Sequence, residues 1–223
     1  MKTAVREVFA VAAAAYDRGN PLLALERPET EALLPLLAGQ AVLDVGAGTG
    51  HYARLAAALG ARLAVAFDLT PEMIALAPRP AVIGDAVRLP FASGALDVAI
   101  AALLLSFVKD VETTLGELGR VLRPHGTLVL SDLHPVASER GWRRSFAGPN
   151  GERVVIDAPP PRVGRVEDAL RAAGFDLECR VESAIDERLR PVFAEARRRD
   201  FDSLRGTPLL QLYRARKRGT HAG

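Results

Sequence analysis

The chain has 223 residues, of which 49% are hydrophobic and 25% charged, and its net charge is +2. This composition predicts one globular domain and excludes a low-complexity chain. No apolar run reaches the roughly 20 residues of a membrane span, and Arg6 and Glu7 interrupt any apolar core of an N-terminal signal peptide. The single cysteine, Cys179, excludes an internal disulfide and a thiolate metal cluster. We therefore expect a cytoplasmic protein with no metal site and no membrane partner.

The first 37 residues are predicted to form a helical flank of the domain. Apolar residues recur at helical spacing over residues 2–15, and a second helix is predicted over residues 28–37. Gly19-Asn20-Pro21 lies between the two segments and is typical of a helix break.

The most informative stretch follows this flank and reads Ala41-Val42-Leu43-Asp44-Val45-Gly46-Ala47-Gly48-Thr49-Gly50. Its apolar half predicts a buried strand, and residues 52–59 predict a helix. A glycine turn between a strand and a helix lets the backbone approach a ligand closely. A dinucleotide-binding turn would need its third glycine at position 51, which is His51. The spacing thus excludes an NAD-dependent oxidoreductase.

The rest of the chain alternates between strand and helix patterns, which predicts an α/β fold. Helices are predicted from Thr70 and over residues 110–122, 166–173 and 187–200. Further strands are predicted over residues 63–67, 81–83, 96–102, 127–130, 175–181 and 208–213. Residues 123–126 are predicted to form a turn.

Asp68 ends the second strand about twenty residues after the glycine turn. A carboxylate there can accept hydrogen bonds from both hydroxyls of a ribose, because it offers two acceptor oxygens to a vicinal diol. The alternative is that Asp68 only supports the start of the next helix, at Thr70.

Three parts of the chain together resemble the class I S-adenosylmethionine-dependent methyltransferases, and within them the small-molecule branch (methyltransferase type 11) that includes quinone-biosynthesis enzymes. The first is the glycine turn, with Asp44 two positions before its first glycine. The second is Gly84-Asp85-Ala86-Val87-Arg88-Leu89-Pro90-Phe91, and the third is the C-terminal strand pattern that begins at Pro208. The resemblance covers roughly residues 9–217.

This resemblance implies a Rossmann-like, doubly wound sheet of seven strands, mostly parallel with an antiparallel last strand, and with helices on both faces. It implies a single domain with an N-terminal helical lid or flank at residues 1–37, a cofactor-binding half at 38–134 and an irregular substrate lid at 135–164. Phe9 and Tyr16-Asp17 resemble the family's N-terminal lid segment, in which an aromatic residue covers the cofactor; the alternative is a core tyrosine at a helix end. A C-terminal helix–strand–helix–strand unit would follow at 165–217, and a disordered tail at 218–223.

It also implies S-adenosylmethionine as cofactor, with S-adenosylhomocysteine as product. The glycine N–H groups and Thr49 would face the methionine end, Asp68 the ribose and Asp85 the adenine. Ser106 and Phe107 stand where the family often has histidines. The cofactor-binding residues that we predict are Tyr16, Asp44, Gly46, Ala47, Gly48, Thr49, Gly50, Asp68, Leu69, Met73, Asp85, Ala86, Ala101 and Ser106.

Methyl transfer from a sulfonium requires alignment of the reactants and exclusion of water, and a general base only for some acceptors. His134, just past the fifth strand, is the candidate base. The alternative is that it caps a turn. Arg140, Arg143 and Arg144 would shape an acceptor pocket or form a solvated patch.

A small-molecule acceptor is the first hypothesis, for a monomer or homodimer. An RNA or protein methyltransferase is the second, suggested by the basic C-terminus. The fourth strand, however, runs into Ala101-Ala102-Leu103-Leu104, without the proline and aromatic residue that stack a flipped base, which disfavours nucleic acid. The third is a non-catalytic S-adenosylmethionine-binding protein. Acceptor, methylated atom and pathway stay open.

Overall fold

The computed structural model describes residues 2–14, 16–17, 19–147, 153–196, 198 and 200–219. The helices in this part of the chain are α1 (Lys2–Ala12), α2 (Pro21–Glu31), α3 (His51–Ala58), α4 (Pro71–Ile74), α5 (Val111–Val121), α6 (Pro135–Glu139), α7 (Val163–Ala172), α8 (Arg190–Glu195) and α9 (Phe201–Leu204). The strands are β1 (Ala41–Val45), β2 (Leu63–Asp68), β3 (Ala81–Ile83), β4 (Leu96–Ala102), β5 (Leu122–Leu133), β6 (Arg144–Ala147), β7 (Arg153–Ile156), β8 (Phe175–Ala184) and β9 (Pro208–Lys217).

Seven strands form one sheet in the order β3-β2-β1-β4-β5-β9-β8. β1 pairs in parallel with β2 on one side and with β4 on the other. β9 lies between β5 and β8 and is antiparallel to both. The predicted fold class is therefore confirmed. Because the strand order reverses between β1 and β4, a crevice opens at the carboxyl ends of these two strands.

The sheet is covered on both faces, and β1 shows why its sequence is apolar without alternation. Successive side chains of a strand point to opposite faces. Leu43 packs with Leu115 and Leu118 of α5, whereas Val42 packs with Tyr52 of α3. All five residues of β1 are consequently buried.

The second helix begins earlier than predicted. α2 covers Pro21–Glu31 rather than residues 28–37. Asn20 caps it, since its side chain accepts a hydrogen bond from Leu22 N at 3.0 Å, and Pro21 occupies the first turn. Pro28, which suggested a helix start, lies inside the helix. The cap decides the boundary because it satisfies an N–H group that the first turn leaves free.

The segment predicted as an irregular lid contains regular structure. It begins with α6 and continues into a two-stranded antiparallel sheet in which Arg144 pairs with Ile156 and Ala147 with Arg153. Residues 148–152 of the predicted lid lie outside the described residues. Four-residue strands carry too little pattern to predict, because such a pair is stabilised by its packing against the domain.

The C-terminal part also departs from the predicted boundaries. In place of one helix over residues 187–200, a 3₁₀ turn at Glu187–Leu189 precedes α8, and α9 follows separately; residues 197 and 199 lie outside the described part. β9 extends to Lys217 because it pairs with β8 along its length. Arg218 N still donates to Gly174 O at 2.9 Å, so the predicted tail is ordered at its first residue; residues 220–223 are not described.

The predicted turn at residues 123–126 lies within β5. The register between β4 and β5 shifts at this point. Leu122 lies opposite Leu96 and Thr127 opposite Val98, so residues 123–126 form an irregularity within the strand. In the described part of the chain, no helix combines the length and the apolar character needed to cross a membrane.

Two glycines of α5 offer a test of the packing. A Cβ at buried Gly119 would lie 2.7 Å from Ala173 O, whereas a Cβ at exposed Gly116 would meet nothing within 4 Å. We expect Gly119→Ala to lower the free energy of unfolding by about 1–3 kcal/mol through overpacking. Gly116→Ala should raise it by about 0.5–1 kcal/mol through helix propensity. Urea denaturation measures both, and equal effects would contradict the close approach of α5 to the end of α7.

Candidate active site

The turn after β1 is built from glycines that adopt left-handed backbone conformations. Gly46, Gly48 and Gly50 have φ angles of 71°, 54° and 84°. A Cβ at Gly46 would lie 2.9 Å from Leu104 Cδ1. Other residues rarely adopt such angles, and at Gly46 a side chain would not fit either. The turn therefore presents bare backbone to its surroundings.

The N–H groups of this turn are engaged within the protein. Gly46 N and Ala47 N donate to Phe67 O at 2.8 and 3.0 Å, and Gly48 N donates to Asp68 Oδ2 at 2.8 Å. Gly50 N donates to Ala47 O at 2.7 Å. The expectation that the glycine N–H groups face a cofactor therefore differs from the structure. The glycines contribute close approach, not free donors.

Asp68 stands at the end of β2 and links two loops. Its Oδ1 accepts from Thr70 N and its Oδ2 from Gly48 N, both at 2.8 Å. Burial raises the pKa of Asp68, and the backbone hydrogen bonds oppose that rise. Since each carboxylate oxygen has two lone pairs, Asp68 retains acceptor capacity for a ligand.

Asp44 lies behind the turn and supports it. It is 1% exposed, and its Oδ2 accepts from Ala53 N, in the first turn of α3, at 3.0 Å. Burial raises its pKa to about 7. Thr49 is also buried, and its hydroxyl donates to Asp17 Oδ2 at 2.8 Å. Both residues thus hold the turn in place from inside the protein.

An open cavity of about 810 Å³, including the solvent at its mouth, lies beside the carboxyl ends of β1, β2 and β4. The predicted residues that line it are Tyr16, Gly46, Gly48, Asp68, Leu69, Met73, Asp85 and Ala86. The structure thus brings most of the predicted site to one place. Asp85 also accepts a hydrogen bond from Val87 N at 3.3 Å.

The remaining predicted residues lie outside the cavity lining. Asp44, Ala47, Thr49 and Gly50 form the rear of the glycine turn. Ala101 is fully buried, and its neighbour Ala102 lines the cavity instead. Ser106 is held at Asp132, whose carboxylate accepts from both Ser106 N and Ser106 Oγ at 2.7 Å.

Two segments of the cavity wall were missed by the predicted set. They are part of α1 and the loop after β4, and their lining residues are Val5, Arg6, Phe9, Leu103, Leu104, Phe107 and Val108. The Phe9 ring packs edge-on against Tyr16 and Phe107, with ring centroids 6.0 and 5.0 Å away. Burial raises the pKa of Tyr16 to about 12, so its phenol is protonated at neutral pH. The family resemblance predicts an aromatic lid from this segment, and Phe9 and Tyr16 both line the cavity.

His134 caps α6 and does not line the cavity. Its Nδ1 accepts from Val136 N at 3.2 Å, and its Nε2 lies 3.7 Å from Glu182 Oε1. It is 7% exposed, and burial lowers its pKa. This geometry favours the capping alternative over a role as general base.

The three arginines of the predicted lid have separate surroundings. Arg140 donates to Thr207 Oγ1 at 3.2 Å, and exposed Arg143 donates to backbone carbonyls of its own segment. Arg144 is 7% exposed and forms a buried ion pair with Asp132. Only the third of these side chains reaches the loop after β4, through Leu103 O and Ser106 Oγ.

Comparison with known proteins agrees with this fold. Residues 43–130, from β1 to β5, match the family model described as a methyltransferase domain. The glycine turn, Asp68 and Asp85 all lie within the stretch that matches this methyltransferase domain. The chain is similar to S-adenosylmethionine-dependent methyltransferases in sequence and in fold.

Among curated relatives, the malonyl-[acyl-carrier protein] O-methyltransferase of Pectobacterium atrosepticum is 34% identical over 137 residues, which cover 59% of this chain and 54% of that protein. A demethylmenaquinone methyltransferase of a Mycobacterium species is 38% identical over 136 residues, 57% of this chain and 59% of that protein. The chain spans little more than half the length of these relatives. The crystal structure of an S-adenosylmethionine-dependent methyltransferase from Mesorhizobium loti superposes with a TM-score of 0.67 at 26% identity, covering 86% of this chain and 98% of that one.

The capping role of His134 can be tested by stability. We expect His134→Ala to lower the free energy of unfolding by about 1 kcal/mol at pH 7, because the acceptor for Val136 N is lost. His134→Asn keeps an acceptor and should stay within about 0.5 kcal/mol of the wild type. Urea denaturation of the three proteins measures this difference.

The wild type and His134→Asn should also differ in how their free energy of unfolding depends on pH. Because burial lowers the pKa of folded His134 below 6.5, unfolding at acid pH takes up a proton. The wild type should therefore lose free energy of unfolding, relative to His134→Asn, as the pH falls below 6.5. Stability curves that stay parallel from pH 7.5 to about pH 5 would contradict the buried, neutral imidazole.

Proposed function

We propose that this protein transfers the methyl group of S-adenosylmethionine to a small-molecule acceptor. The observation that carries the proposal is the convergence of the glycine turn, Asp68 and Asp85 on one cavity. These three features come from different strands. Their meeting at the carboxyl edge of the sheet suits a ligand with a nucleoside part and a flexible chain.

The residues present fit this cofactor. Gly46 and Gly48 line the cavity with φ angles that favour glycine, so the turn meets the cavity as backbone without side chains. Asp68 would accept hydrogen bonds from the ribose hydroxyls, and Asp85 from the adenine amino group. When bound, the cofactor would supply a methyl group on a sulfonium, and the neutral thioether S-adenosylhomocysteine would be the leaving group.

The protein's part in the reaction is to orient the acceptor and exclude water. One wall of the cavity is apolar and consists of Phe9, Leu103, Leu104 and Phe107. Among the described residues that line the cavity there is no histidine. We therefore propose an in-line displacement that depends mainly on proximity and desolvation. No proton is routed through His134, whose Nδ1 is occupied by the cap.

The apolar wall also supports an acceptor with an apolar body. The relatives named above act, by their names, on malonyl-[acyl-carrier protein] and on demethylmenaquinone, which are different acceptors. The acceptor of this chain is therefore proposed only as a class, an apolar small molecule. A non-catalytic binding protein is the outcome if no such acceptor is methylated.

Calorimetric titration with S-adenosylmethionine, S-adenosylhomocysteine and NAD tests the cofactor assignment. We expect micromolar binding of the first two and no binding of NAD, because the third glycine of a dinucleotide turn is absent at His51. Binding of NAD alone would overturn the proposal.

The ribose assignment makes a sharper prediction. We expect Asp68→Ala to weaken S-adenosylhomocysteine binding at least tenfold, about the value of a hydrogen bond to a charged group. Asp168→Ala, at an exposed position in α7, is the control and should bind normally.

Asp68 also holds Gly48 N and Thr70 N, so a second ligand separates the two roles. The 2′-deoxy analogue of S-adenosylhomocysteine should bind the wild type more weakly than the parent compound. Asp68→Ala should bind the two compounds equally, because the acceptor of the hydroxyl is gone. If the variant still discriminates between them as the wild type does, Asp68 is not the ribose acceptor.

A further inference from the structure

The loop between β4 and α5 is held in a strained conformation at the cavity wall. Leu103 has a φ of 54°, in the left-handed region, which is unfavourable for a non-glycine residue. Leu103 N donates to Ser131 O at 2.8 Å, which fixes the start of the loop. Strain of this kind persists only where the surroundings determine the conformation. Contacts from another segment determine the conformation at the other side of the loop.

Arg144 supplies those contacts from a segment about forty residues away in sequence. Its Nη1 donates to Leu103 O at 3.3 Å and its Nη2 to Ser106 Oγ at 2.9 Å, while the guanidinium pairs with Asp132. Asp132 in turn accepts from Ser106 N. One planar fork therefore fixes both ends of the loop, in a geometry that the point charge of a lysine cannot reproduce.

The loop passes this constraint to α1. The Arg144 guanidinium stacks over the Phe107 ring, 4.7 Å from its centroid, and the Phe9 ring packs edge-on against the same ring at 5.0 Å. α1 also contacts β7, the partner strand of β6. Phe107 thus stands between the segment that carries Arg144 and the helix that covers the predicted cofactor end.

We propose that Arg144 is a positioning residue: it holds residues 103–107 in the form that completes the cavity wall and, through Phe107, fixes α1 over the cavity. It acts without lining the cavity itself. This role rests on the proposed function and extends it. Residues 103–107 and α1, on two sides of the cavity, then hold each other in place. Any ligand in the cavity therefore experiences Arg144 indirectly.

The first test needs no ligand. Arg144→Lys keeps a positive charge beside buried Asp132, so that the fold is retained, but loses the fork and the stack. Arg143→Lys is the matched control, because Arg143 is exposed and bonds only within its own segment. Hydrogen exchange should rise at least fivefold in residues 5–9 and 103–108 of Arg144→Lys, but not in α7 and not in Arg143→Lys. Uniform acceleration, or none in residues 5–9, would overturn the proposal.

The second test is a double-mutant cycle with S-adenosylhomocysteine affinity as readout. Phe9→Leu and Arg144→Lys should each weaken binding about five- to thirtyfold. Because both act through Phe107, the double variant should bind at least about fivefold more tightly than the product of the single effects predicts. Phe9→Leu combined with Arg143→Lys should show no such excess. Multiplicative effects in both pairs would mean that Arg144 is only structural.

The two tests separate this inference from the proposed function. If the wild type does not bind S-adenosylhomocysteine, the proposed function fails, while hydrogen exchange still decides the role of Arg144. If binding is normal and the cycle is multiplicative, the proposed function stands and the positioning role fails.

Discussion

The site depends on carboxylates that satisfy backbone N–H groups at the carboxyl ends of the strands. Where a chain leaves a parallel sheet, N–H groups lose their strand partners and must find others. Aspartates near the ends of three strands accept such groups: Asp44 from Ala53, Asp68 from Gly48 and Thr70, and Asp132 from Ser106 and Leu133. Burying these acids is costly, as the raised pKa of Asp44 shows. In return, the loops around the cavity are fixed by charge-assisted hydrogen bonds.

Local pattern was sufficient for the parts of the site that strand ends determine. Asp68 and Asp85 reach the cavity because each follows a strand of a parallel sheet, and the sheet brings those ends to one edge. The glycine turn was predictable for the same reason. The hydrogen-bond partners of its N–H groups were not predictable, because the acceptor of Gly46 N and Ala47 N is Phe67 O, on the neighbouring strand. Register between strands, which sequence does not specify, decides which donors remain free.

The remaining differences arise where long-range packing selects among locally equivalent residues. Arg140, Arg143 and Arg144 are alike in sequence, and only the last meets a buried acid, because β6 places it opposite Asp132. His134 could serve as a base or as a cap by its position in the chain. It became a cap because α6 begins directly after it and needs an acceptor for Val136 N. A helix of five residues gives too weak a pattern to foresee that need.

The cavity wall is built from two different parts of the chain. The family model covers residues 43–130, which include the glycine turn, Asp68, Asp85 and the loop after β4. The two segments that contact this loop, α1 and the one that carries Arg144, lie outside the matched stretch. A displacement in which the cofactor carries the leaving group requires alignment of the reactants and exclusion of water more than a catalytic side chain. Under the proposed function, residues that hold α1 and the loop after β4 in place would therefore govern the rate without touching a reactant.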